Sequence, residues 1–124
     1  MINNSKIVAF VATKDADGAK SFYETALGLK LISEDSFALV FDANGTMLRV
    51  QKVQELNPAP YTALGWEVAD ISTEVEELVK RGVVFNRYEW LPQDDRCVWT
   101  APGGAMVAWF SDPDGNTLSL TQFQ

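Results

Sequence analysis

The 124-residue chain contains no histidine. That absence removes every nucleophilic device that needs an imidazole base, whether Ser/His/Asp or Cys/His. Cys97 is the single cysteine, so no intrachain disulfide can form and nothing points to an oxidising compartment. It stands in the apolar run Cys97-Val98-Trp99, which suits an inert, buried thiol better than a nucleophile. Long hydrophobic runs are also missing. Lys6 interrupts the short apolar segment near the start, and no stretch reaches the length of a signal core or a membrane span. A cytoplasmic protein without a membrane partner is the expectation. Basic residues are scarce, 10 against 17 acidic, for a net charge of −7. The imbalance is uneven: residues 1–57 hold six basic and seven acidic groups (−1), residues 58–124 four and ten (−6). Such a field repels a phosphate backbone, which argues against nucleic acid, and attracts a small organic cation.

What is present is an ordinary globular composition, 47% apolar and 22% charged, at a length suited to one domain spanning 1–124. Ile7 to Ala12 is a continuous apolar run of strand length. From Asp15 the period changes, with Ala19, Phe22, Tyr23, Ala26 and Leu27 at helical spacing and Gly28 as the stop. Three extended segments follow, Leu29 to Ser33, Ser36 to Asp42 and Thr46 to Val53, the last two joined by the hairpin signal Asn44-Gly45. Asn57-Pro58-Ala59-Pro60 breaks all regular structure.

The pattern then begins again. Ala63 to Val68 reads as a strand, Asp70 or Ser72 caps a helix, and Ile71, Val75, Leu78 and Val79 form its apolar stripe before Gly82. Extended segments are predicted at Val83 to Trp90, Arg96 to Thr100, Ala105 to Phe110 and Thr117 to Phe123. The turn Asp112-Pro113-Asp114-Gly115-Asn116 has a residue fixing φ, a residue allowing positive φ, and side chains that accept from backbone N–H groups. Both halves share one order of strand, capped helix, glycine and extended segments. The fold class is therefore α+β, two tandem βαβββ units at about 6–55 and 61–124.

Ser21-Phe22-Tyr23 followed by Gly28-Leu29 in the first unit, with the Asp112 to Asn116 turn in the second, resembles the vicinal oxygen chelate superfamily. That group includes glyoxalases, extradiol dioxygenases and bleomycin-resistance binding proteins. The resemblance implies a cupped mixed sheet with helices on its convex side, and a homodimer. Metal-dependent members place His, Glu or Gln at four strand positions. By the motifs these fall on Val8, within Leu48 to Gln51, near Ala63 and on Ser119. Val8 and Ala63 offer no lone pair and Ser119 is a weak neutral ligand, so the expectation is no metal and no cofactor.

From the same anchors, strand alternation assigns the ligand-facing side. The candidate ligand-binding residues are Phe10, Arg49, Gln51, Glu67, Trp99, Trp109, Ser119 and Thr121, while Trp66 belongs to the core. Trp90, Trp99 and Trp109 divide between core, dimer contact and pocket. Such a cup suits an organic ligand, aromatic or cationic, bound without metal. The alternative is a lyase or isomerase in which Glu67 acts as base with Arg49 steadying an oxyanion, or Glu67 and Gln51 hold a weak metal ion. A third possibility is a dimeric scaffold with a filled cup.

Overall fold

The computed structural model describes all 124 residues. They divide into two compact units, Met1–Asn57 and Pro58–Gln124. In the first, strand β1 (Val8–Thr13) leads into helix α1 (Ala16–Lys20), which continues as a π-helical stretch over Ser21–Ala26. Strands β2 (Lys30–Glu34), β3 (Ala38–Ala43) and β4 (Thr46–Lys52) complete a four-stranded sheet in the order β1-β4-β3-β2. The second unit repeats the plan. Strand β5 (Thr62–Glu67), helix α2 (Ile71–Lys80) and strands β6 (Trp99–Thr100), β7 (Met106–Ser111) and β8 (Thr117–Gln122) give the sheet β5-β8-β7-β6. In both sheets the parallel pair joins the first strand of the unit to its last, β1 with β4 and β5 with β8, the helix carries the chain from the first strand to the opposite edge, and the remaining neighbours are antiparallel.

Local chemistry sets the helix starts. The carboxylate of Asp15 accepts the Gly18 N–H at 3.1 Å, and that of Asp70 accepts both the N–H and the hydroxyl of Thr73. Of the two capping candidates for α2, Asp70 is the one used, and the Gln122 side chain on β8 accepts the Ile71 N–H at 2.9 Å. The first helix ends where Gly28 turns to φ 75°, with the Leu29 N–H donating back to the Tyr23 carbonyl at 3.0 Å.

Packing separates the two faces of each sheet. Val11, Leu39, Phe41, Leu48 and Val50 lie beneath the first helix with Tyr23, whose ring centroid is 5.9 Å from that of Phe41. Leu118, Leu120, Ala108 and Phe110 lie beneath α2, whose Ile71, Val75 and Leu78 are buried. Each large side chain enclosed in this way contributes about 1.5–3 kcal/mol of burial. The opposite face of each sheet is the open one. There Val8 and Phe10 of β1 are exposed, at 41% and 56%, although both are apolar.

Two expected strands differ in the structure. Phe37 is exposed and precedes β3, because the Asp35 carboxylate accepts the Phe37 and Ala38 N–H groups, at 2.7 and 2.9 Å, and turns the chain before pairing starts. Val83 to Trp90 is irregular; only Phe85 bridges to Phe110, and the second strand of this unit is reduced to the two residues of β6. Val79, placed on the apolar stripe of α2, is exposed.

The Asp35 turn adds an acid sensitivity to the first unit. The Phe37 and Ala38 N–H groups hold the Asp35 carboxyl below its usual range, and a hydrogen bond from Lys52 does the same for Glu34. Groups whose pKa falls on folding stabilise fully above their unfolded pKa and lose that contribution as pH drops through the folded value. Stability is therefore expected to decline below about pH 4. Asp35→Asn keeps an acceptor oxygen but cannot titrate, so its stability against pH, followed by urea unfolding, should fall less steeply there. An acid limb as steep as that of the parent would refute this account.

Candidate ligand-binding site

Register defines the open face of the second sheet row by row. Glu67, Thr121, Val107 and Trp99 form one row, and Gly65, Ser119 and Trp109 the next. A third contains Thr62, Thr117 and Ser111, with the register shifting between Thr62 and Leu64. Ala63 is the extra residue of that shift, so the position matched to a metal ligand lies in a bulge.

Trp109 organises this face. Its ring centroid is 6.1 Å from that of Trp99 and 5.9 Å from that of Tyr88, edge to face, and Tyr88 in turn lies 5.6 Å from Trp90. At the Thr62–Thr117 end these rings border a cavity of about 260 Å³. Its walls are Tyr61, Tyr88, Trp90 and Trp109, with Leu91, Pro60 and the two threonines completing it. Tyr61 and Trp90 are strongly exposed, leaving large aromatic surfaces open to solvent.

Tyr88 and Trp90 stand on the irregular stretch, and one side chain ties that stretch down. The Gln93 amide oxygen accepts the Tyr88 N–H at 2.7 Å, while its NH₂ donates to the carbonyls of Asn86 and Cys97 at 3.0 and 2.8 Å. Arg87 adds a 2.8 Å bond to the Asp94 carbonyl, and the Asn86 N–H donates to the Trp109 carbonyl at 2.7 Å. Gln93 thus does for this loop what a ladder does for a strand. Gln93→Ala is expected to cost about 2 kcal/mol, since three bonds to partly buried groups are lost. Tyr88 and Trp90 should become mobile on tryptophan emission and amide exchange. Unchanged exchange across residues 86–93 would show that the loop is held by something else.

Ser119 lies in the row beside Trp109 and is 94% enclosed, being 6% exposed. Its hydroxyl has no hydrogen-bond partner in the chain, yet no sealed polar atom is left unsatisfied, so the oxygen opens onto the face. The opening is the missing side chain of Gly65, where a Cβ would come within 2.7 Å of Ser119 Oγ.

The other sequence candidates are spread more widely. Trp99, Trp109, Ser119, Thr121 and Glu67 share the open face of the second sheet, but Glu67 pairs with Thr121 at the end away from the aromatic cavity. It is exposed and makes no ion pair. Phe10, Arg49 and Gln51 share the open face of the first sheet, Phe10 opposite Arg49. Arg49 is half-buried and also without an ion-pair partner. A second cavity, of about 350 Å³ and strongly apolar, lies on that face between Val8, Ile32, Val40 and Met47. Sequence reasoning placed Trp90 among three options and left out Tyr61 and Tyr88 altogether. Pro92, two residues after the expected strand Val83 to Trp90, and Tyr61, directly after Pro58-Ala59-Pro60, are the available signals.

The superfamily's metal can be tested against these donors. Of the four ligand positions, Val8 and Ala63 carry no donor atom and Ser119 carries a neutral hydroxyl. On the strand where the second falls, the open-face residues are Met47, the cation Arg49, and Gln51. No three His, Cys, Asp or Glu side chains come together in a metal-binding group. This donor set does not fit a divalent ion.

The model of the Glyoxalase/Bleomycin resistance protein/Dioxygenase superfamily matches residues 6–120. The chain belongs to this superfamily. Solved structures of the same fold include a glyoxalase family protein from Enterococcus faecalis, with a TM-score of 0.75 at 19% identity over 98% of this chain and 99% of that one. A glyoxalase/bleomycin resistance protein/dioxygenase from Alicyclobacillus acidocaldarius gives 0.72 at 20% identity over 97% and 92%. A lactoylglutathione lyase from Agrobacterium tumefaciens gives 0.69 at 19% identity over 95% and 93%. No curated protein sequence matches the chain. Identities this low carry the fold of these superfamily members and leave function to the site itself.

Proposed function

We propose that this superfamily member is a metal-independent binding protein for a small organic molecule held on an open sheet face. The observation that carries the reading is the cavity walled by the half-buried Tyr88 and Trp109 and the exposed Tyr61 and Trp90, two large rings that a folded chain has no structural need to leave in solvent. Beside it Ser119 presents a hydroxyl with no partner in the chain, the kind of isolated polar group that orients a ligand in an otherwise apolar pocket. The metal-ligand positions of the fold, occupied by residues unsuited to a divalent ion, point the same way. Glu67, the candidate base, is exposed and at the far end of the face, which favours binding over catalysis.

The proposal includes a homodimer, with exposed apolar side chains such as Ile7 and Phe37 as the surface it would cover. Native mass spectrometry of protein purified without chelator tests these points together. The expected spectrum has a dimer mass, no metal increment, and retained or added organic ligand that quenches tryptophan emission. A stoichiometric metal increment, or turnover of a hemithioacetal abolished by Glu67→Gln, would overturn the reading.

A further inference from the structure

We infer that the aromatic cavity of the second unit takes an organic cation, its ammonium or amidinium head seated among Tyr61, Tyr88, Trp90 and Trp109. This rests on the binding reading above and narrows it to one ligand chemistry and one place. Four aromatic rings border the space. A ring face carries the negative lobe of its quadrupole, so a space lined by aromatic rings attracts a desolvated cation wherever a face is turned to it, and offers an anion no matching partner.

Charge in the surroundings acts in the same direction. The lining contains no Lys or Arg. Three of the four basic side chains of residues 58–124 are engaged elsewhere: Arg96 with Glu76, Lys80 with Glu77, and Arg87 with the carbonyls of Gln93 and Asp94. Arg81, the fourth, stands at the C-terminal end of α2, where its backbone N–H makes the cap, and is not among the residues that line the cavity. The unit keeps a net charge of −6, so the long-range field brings cations in while the rings hold them. An anionic ligand would find no guanidinium or ammonium on these walls.

Size and polarity define the rest of the ligand. A volume near 260 Å³ accepts a small head group and one ring. The body of a longer molecule would continue along β8 from Thr117 toward Ser119, whose unpartnered hydroxyl beside Gly65 can donate to or accept from it.

Three probes of similar size separate charge from shape: benzyltrimethylammonium, benzylsulfonate and benzyl alcohol, titrated into the full chain and followed by tryptophan emission and calorimetry. The cation should bind at least tenfold more tightly than the other two. Trp90→Ala and Tyr61→Leu each replace an exposed ring and leave the core untouched; either should reduce cation affinity at least fivefold, and unchanged cation affinity in both would overturn the seating of the head group among these rings. Equal affinity for all three probes, or preference for the anion, overturns the cation assignment and leaves the organic-ligand reading standing. Absence of binding by every probe at millimolar concentration overturns both.

Discussion

Phe110→Ala is expected to lower the stability of the protein by about 4 kcal/mol, read as a shift in the urea midpoint. The side chain is fully enclosed, stacked 6.5 Å from Trp66 and tilted 5.2 Å from Phe85 by ring centroids. Its removal leaves a void bounded by β8 on one side, by the bridging Phe85 on the other and by α2 above, and the ladder and helix hydrogen bonds of β8 and α2 limit collapse. The neighbouring Trp109 points to the other face, so Trp109→Ala should act mainly on ligand binding. This contrast between adjacent residues is the direct test of the face assignment. A loss below about 1 kcal/mol for Phe110→Ala would mean that the core of the second unit lies elsewhere.

Asp112→Ala should have the next largest effect, about 3 kcal/mol. Asp112 is buried, at 5% exposure, and one carboxylate oxygen accepts the N–H groups of Asp114 and Asn116 at 3.0 and 2.9 Å. The other accepts from the Asn116 side-chain amide at 2.9 Å. Alanine leaves three donors without their acceptor in a turn that also needs Gly115 at φ 88°. Asp112→Asn retains one acceptor oxygen and, if Asn116 rotates its amide, recovers the side-chain bond as well, so about half the loss should return. Equal losses for Ala and Asn would indicate that the negative charge, not the acceptor geometry, stabilises the turn.

Much of the architecture was legible because its signals are local. Asp15 and Asp70 cap helices, Gly28 ends one, and Asp112 to Asn116 closes the last hairpin; each is a contact between residues no more than six positions apart. Strand alternation placed Arg49 and Gln51 opposite Leu48 and Val50, because a strand leaves a side chain two directions only.

The aromatic cavity was less legible. Val83, Phe85 and the residues after them alternate as a strand would, and nothing in that spelling announces that Gln93 will take the hydrogen bonds a ladder would have made. The bulge at Ala63 likewise depends on a partner strand distant in sequence. Glu67 and Ser119 share a face, as alternation required, but parity carries no information on which end of a face is hollow.

The Gln93 staple separates the cavity-lining loop from the ladders that hold the fold. Tyr88, Trp90 and Leu91 belong to no ladder, and their anchor is a side chain whose hydrogen bonds all go to main-chain atoms. Substitutions at those three positions can therefore reshape the cavity while the strands, the helix and the anchor stay as they are. On the binding role proposed above, a lineage using this scaffold could exchange one ligand for another by drift in a handful of loop codons, without passing through an unfolded intermediate sequence.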